Sequence, residues 1–301
     1  MLRLGMKLAT LVASFLVLCA PAPAVRELQD EVGRTVHLPD NPQRVVCLAP
    51  SLTETVYALG LGRIVVGVTD FTDYPPEARR KPSVGGLNNA SVEKIVSLDP
   101  DLVLSLGVIN REEMVDELEH LGIPVFVVKP QSFQGIMASI QHVGDALNRG
   151  NDALRLLKQL EQRRAVVVSR VKGLYRPKIL VVIWYDPVMT AGNKSYITDI
   201  ISTAGGQSIT ADIAQVWPQI SLEEIVRRSP DFLLLVRDGH EGITAEELKA
   251  HAGWDQLKAV RDNHLIYLSD SLFHPSPVVF DALELLAKKL HPEAFESGRP
   301  N

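Results

Sequence analysis

Two stretches of this chain, 130 residues apart, carry nearly the same message. Ser91-Val92-Glu93-Lys94-Ile95-Val96 leads to Pro100-Asp101-Leu102-Val103-Leu104. Ser221-Leu222-Glu223-Glu224-Ile225-Val226 leads to Pro230-Asp231-Phe232-Leu233-Leu234 at the same offsets. Each copy reads as a Ser-capped short helix, a Pro-Asp turn and a buried aliphatic strand. Looser echoes surround them. An apolar run at Val45–Leu48 is answered by Ile179–Ile183. A helical pattern from about Leu52 to Leu59 before Gly60 is answered by one from about Ile197 to Ala204 before Gly205-Gly206. A repeat of this kind means two similar units, and alternating strands and helices mean a mostly parallel sheet in each.

The predicted fold is therefore α/β: two Rossmann-like lobes with mostly parallel sheets, joined by one long helix. The chain's 301 residues exceed what one small core organises. Asp152 to Val171 contains no Gly or Pro and repeats Leu154, Leu157, Leu160, Val167 and Val171 at helical spacings. With Asn151 as N-cap and Gly173 as stop, it predicts a linking helix over 151–173, roughly 33 Å long. An N-terminal lobe over 25–150 and a C-terminal lobe over 174–301 then flank it. Loops at the strand carboxyl ends leave the ligand site between the lobes, and a helical connection resists hinge bending, so the lobes should move little.

The first residues read as an export signal. Arg3 to Lys7 is basic, Leu8 to Leu18 is apolar but shorter than the ~20 residues of a spanning helix, and Ala22-Pro23-Ala24 offers small residues for cleavage. Residues 1–24 are read as a signal peptide and the mature protein as periplasmic. A lipid-anchored alternative would use Cys19, but Leu18 stands where such a site wants a small residue. Cleavage leaves Cys47 alone in an oxidising compartment, so no intramolecular disulfide forms, and its apolar neighbours make it a small buried hydrophobe. Loss of Arg3 and Lys7 takes the formal charge from −5 to about −7, which favours neither nucleic acid nor anionic lipid.

Thr72-Asp73-Tyr74-Pro75-Pro76-Glu77-Ala78, Trp217-Pro218-Gln219-Ile220-Ser221, Arg228-Ser229-Pro230, and Ser276-Pro277 after Ser269-Asp270, together with the capped repeat and linking helix, resemble the cobalamin-binding periplasmic proteins of ABC importers. The resemblance covers nearly all of residues 43 to 290 and implies a helical-backbone (class III) solute-binding protein, a family whose relatives also carry haem and ferric siderophores. It implies a monomer that takes a small-molecule chelate, probes no nucleic acid, uses no cofactor of its own, and delivers cobalamin or a related corrinoid to an ABC permease in the inner membrane.

The same resemblance implies residue roles. Phe71 and Trp217 match aromatics that pack on the corrin ring, and flat aromatic faces suit a large apolar macrocycle. Asp270 matches a rim carboxylate in the loop Asp270-Ser271-Leu272-Phe273-His274. Ser271 and Leu272 replace bulkier aromatics there, and His274 replaces an Arg. Leu87 stands in for a tryptophan and Met189 for a phenylalanine. The cysteine pair of close relatives is absent at Thr203 and Ala287. Glu93 and Glu223, equivalent first-turn acids of the repeat, match paired glutamates that meet arginines on a two-fold permease. The helix dipole alone also accounts for an acid there.

Rival readings rest on other residues. Haem would take His274 as axial ligand or Tyr74 as a phenolate, although Tyr74 between Asp73 and Pro75 also reads as a turn residue. An anionic siderophore would need converging cations, for which the loops offer Arg111, Lys129 and Arg237. A metal-ion receptor would have to gather His274, Asp270 and Glu54, and no metal-ligand motif brings them together in sequence. An enzyme is not expected: no nucleophile elbow, zinc motif, phosphate loop or Cys-x-x-Cys occurs. His37 and His240 lack a helically spaced partner, and His120, His142, His251, His264 and His291 fall in polar contexts that read as surface.

Overall fold

The structure, a computed structural model, describes residues 25–107, 109–238, 241–242, 244–269 and 274–296; the expected signal peptide lies outside them. The N-terminal lobe opens with an antiparallel hairpin, β1 (Val25–Gln29) and β2 (Thr35–Pro39). It continues through β3 (Val45–Cys47), α1 (Pro50–Ala58), β4 (Val65–Gly67), α2 (Val92–Ser97), β5 (Leu102–Leu106), α3 (Glu112–His120), β6 (Val125–Val128) and α4 (Phe133–Ala146). Its sheet is parallel in the order β4-β3-β5-β6. All residues of β3, β5 and β6 are buried, as strands covered on both faces must be.

After the linking helix α5 (Gly150–Val171) come β7 (Lys178–Val182), β8 (Trp184–Tyr185), β9 (Val188–Met189), α6 (Tyr196–Thr203), β10 (Gln207–Ser208), α7 (Leu222–Arg228), β11 (Phe232–Asp238), β12 (Glu241–Gly242), α8 (Ala245–Ala250), α9 (Lys258–Arg261), β13 (Leu265–Ser269), α10 (Val279–Leu290) and α11 (Pro292–Phe295). The parallel strands run β10-β7-β11-β13, with β12 paired antiparallel to β11. Taken in chain order, both lobes arrange their parallel strands second-first-third-fourth.

The repeat extends to the backbone. Ser91 and Ser221 accept from the amides of Lys94 and Glu224, each at 3.2 Å, as N-caps of α2 and α7. Asp99 and Ser229, 130 residues apart, adopt left-handed φ values of 48° and 51°. The following aspartates then perform one task twice: Asp101 accepts from the amides of Gln43 (2.7 Å) and Arg44 (3.0 Å), and Asp231 from that of Lys178 (2.7 Å). Each Pro-Asp turn thus anchors the start of its lobe's first parallel strand, satisfying donors that would otherwise be unpaired.

Helix α5 differs from its expected bounds. Asn148, at φ 54°, ends α4, and the Arg149 amide donates to Gly144 O at 2.6 Å. That places Arg149 at the N-cap, so Asn151 lies inside the first turn. The helix stops at Val171, where Gly173 supplies the left-handed conformation (φ 78°) that a residue with a Cβ adopts only under strain. Leu160, Val167 and Val171 are buried, but Leu154 is exposed.

Helix α4, not only α5, stitches the lobes. Its Val143 and Ala146 enter the N-lobe core with Val45, Leu104 and Phe126. Its Phe133, Ile136 and Ile140 enter the other core with Ile197 of α6, Phe280 and Leu283 of α10, and Leu160 of α5. The two cores are separate, but α4 contributes to both, so the lobes cannot part at α4 without exposing its apolar residues. Cys47 is fully buried and its thiol is pushed up to about 12, first by burial, so it is inert as expected. His291 is not on the surface: it is buried, with Nε2 3.3 Å from Gly205 O. Gly205 sits at φ 87°, and a Cβ there would lie 2.6 Å from that ring, which explains why α6 ends at glycine.

Candidate functional site

In the N-lobe, three strand carboxyl ends converge where the strand order reverses, the place at which open α/β sheets bind ligands. Beyond β3 the chain passes Ala49 and enters α1 through Pro50, which gives up no amide needed by the first turn. Beyond β4 the loop carrying Phe71 is held by Asp70 N to Gly85 O (2.9 Å), Val84 N to Val68 O (2.8 Å), and the Ser83 hydroxyl donating to Asp70. Beyond β5, Asn110 ties all three segments: its Nδ2 donates to Leu48 O (3.0 Å) and Leu87 O (2.6 Å), and its Oδ1 accepts from Leu106 N (2.6 Å). Asn110 was not singled out from the sequence; its role exists only once these loops meet.

These ends line a cleft cavity of about 400 Å³ with Ser51, Asp70, Phe71, Asp73, Leu87 and Ile109 on its walls. His274 and Pro275 reach into it from the C-lobe, just beyond β13. Phe71 is 56% exposed and Trp217 42%, so neither is lobe core. Leu87 is partly buried and does line the cavity.

On the C-lobe side, the chain beyond β7 folds into the small β8–β9 hairpin. Trp184 lies directly across from Met189, and Met189 bridges in turn to Gln219. The Thr190 amide donates to Pro218 O at 3.0 Å, and Gly192 N to Val216 O at 3.1 Å. Trp217, two residues before Gln219, lies on the segment that pairs with this strip. Trp184 is 52% exposed, its indole NH donating to Asp186 O at 2.8 Å. The sequence reading passed over it. Its only signal was an apolar ring just past the strand carboxyl end.

Asp270, Ser271, Leu272 and Phe273 lie outside the described residues, as does the side chain of Arg237. His274 Nδ1 is 2.6 Å from Glu54 Oε1, and the Ser276 hydroxyl donates to Glu54 Oε2. Against an acceptor-only carboxylate, the proton of that His–Glu bond sits on Nδ1. Tyr74 does not line the Phe71 cavity. It borders a separate one with Glu54, Tyr57, Leu160, Arg163 and Asp281, which removes the geometric support for a phenolate ligand beside Phe71. Lys129 lines a third cavity, with Arg34 and Glu112, and Arg111 is at the exposed N-cap of α3; neither is among the residues that line the Phe71 cavity. Among the described residues, no three His, Cys, Asp or Glu side chains come together to hold a metal ion.

Glu93 and Glu223 both occupy exposed first turns, of α2 and α7. The Glu223 carboxyl is held below the usual range by its own backbone NH and by Ser221. Arg227 and Arg228 pair with Glu224, not with Glu223.

A profile of periplasmic binding proteins matches residues 45–272, about three quarters of the sequence. The chain belongs to the periplasmic binding protein family. Within it, the chain is 29% identical over 278 residues to an uncharacterized ABC transporter substrate-binding lipoprotein, YvrC, of Bacillus subtilis (strain 168), covering 89% of this chain and 86% of that protein. It is 25% identical over 245 residues to the vitamin B12-binding protein of Vibrio parahaemolyticus serotype O3:K6 (strain RIMD 2210633), covering 80% and 86%. Among solved structures, the apo form of the periplasmic heme-binding protein RhuT from Roseiflexus sp. RS-1 matches with a TM-score of 0.76 and 28% identity, over 84% of this chain and 99% of that one. The periplasmic binding protein family consists of solute-binding proteins rather than enzymes.

Proposed function

We propose that this protein is the periplasmic substrate-binding component of an ABC importer and that it captures cobalamin or a related corrinoid between its two lobes. The observation that carries the reading is the chemistry of the cleft wall. Phe71, Leu87 and Ile109 offer an apolar face, while Asp70 and Asp73 supply carboxylates, and no Lys or Arg occurs among the described lining residues. A corrin has an apolar face and a rim of amides whose NH groups donate to carboxylates. Haem brings two propionates, which Asp70 would repel, whereas Asp73 is paired with Arg79 at 3.8 Å. The same absence of cations disfavours an anionic siderophore. Similarity to vitamin B12-binding proteins supports the corrinoid. Haem is the second reading, favoured by the imidazole of His274 in the cavity and by the similarity to a heme-binding protein.

Capture needs no covalent chemistry. Affinity comes from apolar area removed from water against Phe71, Met189, Trp184 and Trp217, with hydrogen bonds at the rim. Asp270, Ser271, Leu272 and Phe273 complete the C-lobe side of the site in this reading. The deciding experiment titrates the mature protein with cyanocobalamin and, in parallel, haemin, following absorbance and tryptophan quenching. Saturable one-to-one cyanocobalamin binding supports the proposal. Binding of haemin alone, with a Soret shift lost in His274→Ala, hands the site to haem.

Delivery requires a docking face. Glu93 and Glu223 present one acid per lobe at equivalent positions, and exposed Val96 and Val226 repeat beside them one turn on. Paired acids of this kind steer encounter and fix register on a two-fold partner. Charge reversal at both positions, Glu93→Lys with Glu223→Lys, should leave ligand affinity within about twofold and reduce transport in reconstituted vesicles at least tenfold. Equal transport by the double variant would dispose of the docking assignment.

A further inference from the structure

Glu54 is a buried carboxylate at the lobe junction. It lies on the first turns of α1, its side chain is 1% exposed, and both its carboxylate oxygens are taken by the other lobe. Oε1 accepts from His274 Nδ1 at 2.6 Å and Oε2 accepts from the Ser276 hydroxyl. Ser276 is fully buried and passes the connection on: its Oγ accepts from the Val278 amide at 3.1 Å, at the entry to α10. The backbone between is turned by Ser276 N donating to His274 O at 2.8 Å. On the far side lies Tyr196 of α6, 8% exposed, whose hydroxyl is pushed above its usual range by burial first and by the Glu54 charge second. Ser51, one turn before Glu54, lines the same cavity as His274.

A buried carboxylate is costly unless its lone pairs are filled, and here, among the described residues, the side chains that fill them come from a segment 220 residues away. Both bonds come from one short segment, so they form or break together, and the buried Glu54 carboxylate either keeps both of these donors or loses both. That is a discrete clasp, not a graded contact. It also sets the ligand site, because the imidazole held by Glu54 is the one that lines the cleft cavity.

We propose that Glu54 is a positioning residue: it clasps the C-lobe's cleft segment to the N-lobe through His274 and Ser276, so that the floor of the site stands assembled before ligand arrives. Its effect on affinity rests on the corrinoid reading above; the clasp itself does not. Two measurements separate them.

In the ligand-free protein, amide exchange is followed in the peptide containing Ser276 and Val278. Glu54→Ala should raise exchange there at least tenfold, with Ser276→Ala intermediate. Glu54→Gln, which keeps an oxygen for His274, should lie near wild type. In the second, cyanocobalamin is titrated into each variant. Glu54→Ala should weaken binding at least tenfold, as His274→Ala does, and the double variant should be no weaker than His274→Ala alone. Rescue by Gln and this non-additivity distinguish positioning from a general loss of stability. Should Glu54→Ala fail to fold, Ser276→Ala and Glu54→Gln carry both measurements. Unchanged exchange in Glu54→Ala or, if it fails to fold, in Ser276→Ala overturns the clasp. Additive losses in the double variant overturn the positioning role. If wild type binds neither cyanocobalamin nor haemin, the proposed function fails, and exchange still decides the clasp.

Discussion

Replacing Trp217 with alanine is expected to weaken cyanocobalamin binding at least tenfold, about 1.4 kcal/mol, while leaving the fold intact. The indole is 42% exposed in the ligand-free chain and belongs to neither lobe's core, so little folding energy rides on it. The strip that carries it is held through backbone bonds, from Thr190 N to Pro218 O and from Gly192 N to Val216 O, which alanine leaves in place. What disappears is a large rigid surface at low entropic cost, the property that makes tryptophan an interface anchor. Trp184→Ala in the same titration should cost severalfold, since Trp184 stands across from Met189 on the same strip. It supplies an aromatic face where Leu87 and Met189 offer none. Unaltered affinity with an unaltered circular dichroism spectrum would take either residue out of the site.

The second large effect concerns stability. Phe280→Ala should destabilise the protein by about 3–5 kcal/mol, the usual cost of emptying a well-packed aromatic site. Phe280 is fully buried on α10 of the C-lobe, and its ring centroid is 5.0 Å from that of Phe133, on α4 of the N-lobe, at 54°. A cavity there weakens the core that seats α4, which also packs in the N-lobe core, so both lobes should lose stability in one transition. Each lobe has its own reporter. All three tryptophans, Trp184, Trp217 and Trp254, belong to the C-lobe, and Cys47 lies at the centre of the N-lobe. In the chain without residues 1–24, denaturant unfolding followed by fluorescence and by Cys47 alkylation should shift to the same lower midpoint. A loss below about 1 kcal/mol, or a shift seen by tryptophan alone, would mean that the lobes are energetically separate.

The site was partly legible in the sequence because some of its residues announce themselves locally. Trp217 stands beside Pro218, where burial within a lobe is hard to achieve, while Phe71 was marked by the family resemblance, and both are exposed in the fold. Glu93 and Glu223 are fixed by a repeat that needs no tertiary information. Trp184 escaped because a single aromatic after a strand looks like core until the hairpin register sets it opposite Met189. Glu54 was considered only as a conceivable metal ligand beside His274. It proves to be a hydrogen-bond acceptor for His274 and Ser276, which the chain supplies 220 and 222 residues later. Helix α4 was not read from the sequence, and its role as a bridge depends on what packs against each of its faces.

By itself, then, the sequence determined the duplicated unit and the long helix between the copies, because periodicity, capping serines and Pro-Asp turns act over a few residues. Only the tertiary structure decided how the two copies meet. The Phe133–Phe280 contact, the Glu54–His274–Ser276 junction and the faces turned to the cleft all join groups far apart in sequence, and local patterns carry no information about which distant donor will satisfy a buried acceptor.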